Sequence, residues 1–238
     1  LPATRAVACV VPRILEAYAF GPLGRWFGDS VHEPGGTRVA LKLAVIYYSS
    51  TGTVDAMARR AALTGEKAGA EVRLRHVEEN APPAAIDSVD EWREHVEATS
   101  DEPRATPDDV TWADVVLLGS PTRFGSIASQ LQAFLDSLGP HWAKGELADK
   151  VYAGFTASKT AHGGQESTLL TLYTTMYHFG GLVVAPGYTD PTKFADGNPY
   201  GASHVTGPDN DVPLEDAALD ALDHLVERTL TVAGKLAD

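Results

Sequence analysis

A single cysteine, Cys9, stands in the whole sequence. Neither an intrachain disulfide nor a thiolate metal site can form, which fits a reducing, cytoplasmic setting. Positive charge is scarce, with 19 Lys and Arg against 32 Asp and Glu and a net charge of −13. That balance argues against a nucleic-acid surface. No apolar run approaches the ~20 residues that a bilayer-spanning helix needs. Three catalytic signatures are missing as well. No G-x-x-x-x-G-K-[ST] occurs and no G-x-G-x-x-G follows the first apolar run, so the P-loop and dinucleotide fingerprints are absent. Without a G-x-S-x-G, a serine hydrolase on a strand–helix scaffold is also disfavoured. The eight histidines show no metal-ligand spacing.

What the chain does have is a phosphate-cradle pattern, Tyr48-Ser49-Ser50-Thr51-Gly52-Thr53. The apolar run Leu41–Tyr48 before it reads as a buried strand. After it, Val54, Met57, Ala58, Ala61 and Ala68 recur at helical spacing. The unpaired N–H groups and positive dipole end of a helix start favour an anion. Ser49, Thr51 and Thr53 add hydroxyl donors, and Gly52 lets the backbone approach closely. No Lys or Arg lies in the loop, so neutral donors must hold the anion. The plainer alternative is an ordinary Ser/Thr helix cap.

Four further strands are predicted, at Glu71–Val77, Val115–Gly119, Val151–Thr156 and Leu182–Ala185, separated by helical patterns. In the second, His76 reads as an edge or surface residue. The helices Ile127–Leu138 and Glu166–Phe179 carry core-facing stripes, and a last one contains Leu222, Leu225, Val226 and Leu236. Strands alternating with helices predict an α/β fold, with a doubly wound, five-stranded parallel sheet and helices on both faces. Residues 1–38, broken by Pro2, Pro12, Pro22 and Pro34, are expected to form a poorly ordered tail, and 39–238 the folded domain. Residues 78–110, rich in Pro and acids, read as a surface excursion with a solvated charged face and a short helix near Ser88–Ala98. Tyr188–Val212 reads as irregular.

In such a sheet, ligands sit beyond the carboxyl ends of the strands, at the switch in strand order. Three loops leave those ends: Ser49–Thr53, Ser120–Gly125 and Thr156–Gln165. The second offers a rigid Pro121, a planar Arg123 and an aromatic Phe124. Together they can give a planar ring apolar area against its faces and backbone donors at its rim.

These loops carry a resemblance. Ser49–Val54, Pro121-Thr122-Arg123-Phe124-Gly125, His162-Gly163-Gly164-Gln165-Glu166 and Asn198-Pro199-Tyr200-Gly201-Ala202 resemble the WrbA family. Its members are flavodoxin-like, FMN-dependent NAD(P)H:quinone oxidoreductases. The similarity runs from about Lys42 to the C-terminus. It implies strand order 2-1-3-4-5, FMN as cofactor, NAD(P)H and quinones as partners, and a homotetramer, with a dimer as the alternative. By position, it implies that Ser49, Ser50, Thr51, Gly52, Thr53 and Val54 hold the FMN phosphate. It places Pro121, Thr122, Arg123, Phe124 and Gly125 about the ring, and Thr156, Ala157, Ser158, Thr160, His162 and Gly163 along the ring and ribityl chain. Trp142 matches a substrate-pocket tryptophan, and His178 matches a flavin-proximal histidine that is the candidate proton donor. The plainer roles are a loop anchor for Trp142, an interface contact for His178, a turn residue for His162 and a backbone-only role for Arg123.

Three departures accompany the resemblance. The phosphate loop has small Ser50, Thr51 and Thr53 where relatives place an aromatic and a histidine. The third loop is one residue longer than in some members, and the 78–110 excursion is longer and more acidic. The function expected is two-electron hydride transfer from NAD(P)H to FMN and on to a quinone, by a ping-pong mechanism. The alternative is a flavodoxin-type one-electron carrier, which the acidic charge suits and the added Trp142 does not.

Overall fold

The structure, a computed structural model, describes residues 40–237. The expected tail over 1–38 lies outside the described residues. Within them, each apolar run of the sequence has become a strand of one parallel sheet: β1 (Lys42–Tyr47), β2 (Glu71–His76), β3 (Val115–Pro121), β4 (Val151–Ser158) and β5 (Leu182–Val183). They lie in the expected order β2-β1-β3-β4-β5. Parallel pairing needs a long crossover between strands, and helices supply it.

Side chains alternate across a strand, so each strand feeds two cores. Leu43, Val45 and Tyr47 of β1, with Val115 and Leu117 of β3, face one core. There α1 (Thr53–Lys67) and α9 (Asp216–Ala237) cover the sheet through Val54, Met57, Ala61, Leu222 and Leu225. Ala44, Ile46, Val116 and Leu118 face the other core, closed by Leu131 and Phe134 of α5 (Ser129–Ser137) and by Leu169, Leu172 and Met176 of α7 (Gln165–Phe179). Burial on both faces explains why β1 and β3 read as unbroken apolar runs.

Two segments differ from the sequence expectation. The stretch read as irregular holds a short helix, α8 (Thr192–Asp196), and a sixth strand, β6 (Ala202–Val205), which pairs in parallel with the carboxyl half of β4, Phe155 opposite Ala202. Gly201 permits that approach, because a Cβ there would lie 2.4 Å from the Gly154 carbonyl. A fully buried Lys193 pins the segment by pairing with Asp196 and donating to the Gly201 carbonyl at 2.9 Å.

The excursion is the second case. It folds as α2 (Pro83–Ile86), α3 (Asp90–Ala98) and α4 (Pro107–Trp112). It is more than a solvated face, because its side chains close over the ends of β1 and β2. Glu79 accepts from Tyr48 Oη at 2.8 Å, Trp92 Nε1 at 2.9 Å, Gln130 Nε2 at 2.7 Å and its own loop at Ala81 N. His76 lies on the edge strand β2 but is a buried residue and not a surface one, at 4% exposure, packed edge-on to Tyr47 and beside His95 of α3.

Candidate functional site

The carboxyl ends of β1, β3, β4 and β6 open into one cleft of about 720 Å³, within the roughly 300–1,000 Å³ of ordinary ligand sites. Ser49, Ser50, Thr51, Thr53 and Val54 form one wall; Pro121, Thr122 and Arg123 form another, and Ala157 and Ser158 a third. These ten expected residues are brought together.

The first wall is built as a donor array. Gly52 caps α1 in the left-handed region, at φ 94°, and its N–H is taken by Ser49 Oγ at 3.0 Å. The first helical bond is Ala56 N to Gly52 O at 2.9 Å. Among the described residues, the N–H groups of Ser50, Thr51, Thr53 and Val54 donate to no protein acceptor. Such a set, at the positive end of a 15-residue helix, suits a phosphate group. Arg123 reaches across from the second loop and donates to Ser50 Oγ at 3.0 Å, so its side chain takes part as well as its backbone. Lys159 lines the opposite rim.

The remaining expected residues sit elsewhere, each for a visible reason. Phe124 and Gly125 are the central pair of a tight turn closed by Ser126 N donating to the Arg123 carbonyl at 3.0 Å. Both have positive φ, 54° and 79°, as a type I′ turn requires, and Phe124 points wholly into solvent at the rim. Thr156 is buried beneath the cleft, its hydroxyl donating to the Ser120 carbonyl at 2.7 Å. The third loop folds on itself about the Thr160 carbonyl, which accepts from Ser158 Oγ, Gly163 N and Gln165 Nε2. Thr160 and the exposed His162 therefore belong to a turn and not to the cleft wall. Gly163 and Gly164 tie that turn to the second loop: Thr122 Oγ1 donates to the Gly163 carbonyl at 3.3 Å, and a Cβ on Gly164 would lie 2.8 Å from Gly125 Cα.

Trp142 and His178 are the largest displacement from expectation. The pair meets, with Trp142 Nε1 donating to the His178 carbonyl at 2.8 Å. However, α7 starts at the third loop and His178 lies 13 residues along it, about 20 Å away at 1.5 Å per residue. Neither residue lines the cleft of its own chain.

The fourth wall escaped sequence reading: Thr206, Pro208, Asp209, Asn210 and Asp211 follow β6, Val89 caps α3, and Glu91 and Trp92 lie in its first turn. Asn210 Nδ2 donates to Thr51 Oγ1 at 3.0 Å, tying that wall to the first loop. The signal available was the Asn198–Ala202 motif, which marks the turn into β6.

Charge around the site is shaped by burial. Burial lifts the Tyr47 and Tyr48 hydroxyls above the ordinary phenol range, reinforced by hydrogen bonds to Asp55 and Glu79 respectively. Burial pushes Glu79 upward, yet its four donors outweigh that and hold it below the ordinary carboxylate value. His76 and His95 are both lowered, chiefly by burial. Among the described residues there is no His/Cys/Asp/Glu cluster suited to a metal ion, and no helix long and apolar enough to cross a membrane.

Comparison with known proteins agrees with this geometry. A profile for the family described as NADPH-dependent FMN reductase matches residues 41–192. A protein of Deinococcus radiodurans named NAD(P)H dehydrogenase (quinone) is 48% identical over 82% of this chain and 97% of its own. One of the same name from Sinorhizobium fredii is 38% identical over 83% and 99%. In fold, the chain is similar to a flavodoxin-like, WrbA-like protein from Agrobacterium tumefaciens, with TM-score 0.58 at 22% identity, covering 82% of this chain and 99% of that one. It is also similar to flavodoxin 2 from Bacillus cereus, with TM-score 0.52 at 16% identity, over 83% and 99%. The profile spans most of the described sheet and the sequence likeness runs nearly the whole length of its relatives, so the chain belongs to the NADPH-dependent FMN reductase family, with the flavodoxin-like fold.

Proposed function

We propose that the chain is an FMN-dependent NAD(P)H:quinone oxidoreductase working by a ping-pong mechanism in the cytoplasm. One observation carries the reading: a cleft at the carboxyl ends of the strands, one wall of which is an array of neutral donors at a helix start. A phosphomonoester fits those donors, and the cleft has the volume for the rest of FMN. The names of the relatives supply the two substrates. When bound, FMN supplies the chemistry, accepting hydride from NAD(P)H and returning two electrons to a quinone.

The chain's residues bind and orient. Ser50, Thr51, Thr53 and Val54 hold the phosphate; Pro121, Thr122, Arg123, Ala157 and Ser158 line the remainder. Phe124, at the rim, presents an apolar ring to whatever enters. Trp142 and His178 serve a second copy's cleft, Trp142 as a substrate wall and His178 as proton donor, within a homotetramer. The supporting observation is their exposure, side by side, at the end of α7 remote from their own cleft.

The test is the visible spectrum of the purified protein. A flavin band bleached by NADH or NADPH and restored by a quinone is expected. Purified protein that neither carries nor takes up FMN would overturn the reading.

A further inference from the structure

Beneath the phosphate loop lies a polar cluster with one unexplained member. His95 comes from α3, in the excursion, and its ring abuts the loop: Nδ1 lies 3.7 Å from where a Cβ on Gly52 would stand. Its Nε2 is buried with no hydrogen-bond partner. A buried polar atom left unpaired in a native fold calls for a cause, and an absent ion is one of the usual ones.

The neighbours define what that cause can be. From α1, Asp55 accepts from Tyr47 Oη and from Arg59 Nε. After α3, Glu102 accepts from Arg59 Nη2 and lies 3.3 Å from Tyr47 Oη. Arg104 donates to His76 Nδ1 at 3.0 Å and pairs at the rim with Glu78. Since a guanidinium only donates, His76 Nδ1 must be the acceptor and the proton sits on Nε2, toward the Ser49 carbonyl at 3.5 Å. Arg104 thus holds His76 neutral. His95, 6.1 Å away, has no such restraint among the described residues.

Around the two imidazoles, Asp55, Glu102 and the rim residue Glu78 exceed Arg59 and Arg104 by one charge. A phosphomonoester dianion seated on the start of α1 would add two negative charges, of which Arg123 at Ser50 Oγ offsets one, and Asp55 in the first helical turn already opposes it. We infer that His95 is a positioning residue of the phosphate site, which takes up a proton as a phosphomonoester dianion binds and so makes FMN affinity pH-dependent. This rests on the FMN reading above.

The direction follows from burial. In the ligand-free protein, burial holds His95 below its ordinary value, so it is neutral at pH 7. A nearby dianion favours the imidazolium. FMN should therefore bind more tightly as pH falls through the titration of His95 in the complex, and lose that gain as pH rises through it.

The experiment compares wild type with His95→Gln, measuring FMN and riboflavin affinity by flavin fluorescence quenching between about pH 5.5 and 8.5. Riboflavin lacks the phosphate. For wild type, FMN affinity should gain roughly tenfold more toward low pH than for His95→Gln, the equivalent of a one-unit shift. Riboflavin affinity should show no difference between the two proteins. Histidine-ring NMR of wild type, with and without FMN, provides a readout that needs no variant: one ring should titrate at higher pH in the complex. Identical FMN pH profiles for the two proteins, or histidine titrations unmoved by FMN, would overturn the inference and leave the FMN reading standing. Binding of neither flavin by folded wild type would overturn both.

Discussion

The indole N–H of Trp142 donates to the backbone carbonyl of His178 at 2.8 Å, joining α6 (Gly139–Trp142) to the last turn of α7. The bond satisfies a carbonyl that the helix end leaves unpaired, while the indole itself stays half exposed, at 53%. With about 20 Å of helix between this pair and the third loop, a single chain cannot use either residue at its own cleft. Activity per chain should therefore fall on dilution, in step with dissociation followed by size-exclusion chromatography. Trp142→Ala should lower quinone turnover at least tenfold and leave FMN retention unchanged. Undiminished activity of an isolated monomer would exclude the shared site.

Much of the scaffold was legible because its signals are local. Ala44–Tyr48 and Val115–Leu118 are buried on both faces, so they show as apolar runs whatever surrounds them. The Ser49–Thr53 turn was legible because small hydroxyl residues and a glycine between an apolar run and a helical pattern mark a strand–turn–helix junction. β6 was not legible. Ala202–Val205 has only four residues, two of them Ser203 and His204, and becomes a strand because Gly201 lets it close against Gly154. The α3 wall was hidden for a related reason: Trp92 and His95 look like parts of an acidic surface helix until Glu79 and Gly52 are seen beneath them. The outward orientation of Phe124 was not legible either, because it depends on the left-handed turn that Phe124 makes with Gly125.

Thr53→Glu tests the donor array. The substitution puts a carboxylate among N–H groups meant for the phosphate, reversing a helix-terminus term of up to about 2 kcal/mol. A folded protein with FMN affinity down at least tenfold is expected, read by fluorescence titration. Retention at the wild-type level would remove this loop from the site.

Glu79 gives a pH signature. Its folded value lies below the ordinary carboxylate value because Gln130, Ala81, Tyr48 and Trp92 all donate to it, against the opposing effect of burial. A depressed acid contributes stability that is present above its unfolded value, near 4.5, and is lost as pH falls through the folded value. Glu79→Gln should cost about 2 kcal/mol at neutral pH, since charged hydrogen bonds weaken and one donor is left facing an amide N–H. It should also flatten the decline of melting temperature below about pH 4.5. An acid limb as steep as that of wild type would place the titration elsewhere.

The proposed domain boundary is tested by removal. Among the described residues, every one lining the cleft lies at or beyond Ser49, so a protein beginning at Arg38 is expected to bind FMN with wild-type affinity. Loss of folding on that truncation would move the boundary toward the N-terminus.

The last prediction separates an enzyme from an electron carrier. A carrier exchanges single electrons with two proteins at an exposed ring edge and has no use for a pocket that small molecules share. A quinone reductase needs one such pocket, used by nicotinamide and quinone in turn, which gives parallel double-reciprocal lines when NAD(P)H and a benzoquinone are varied. The exposed aromatics bear on the choice: Phe124 and Trp142 both present rings to solvent, and the proposed assembly would bring Trp142 to a neighbour's cleft. If the pocket is shared, a quinone in excess should inhibit competitively against NAD(P)H, and Trp142→Ala should weaken both inhibition and turnover together. Intersecting lines would mean that both substrates bind at once and would exclude the shared pocket. Negligible NAD(P)H oxidation by protein fully loaded with FMN would favour the carrier.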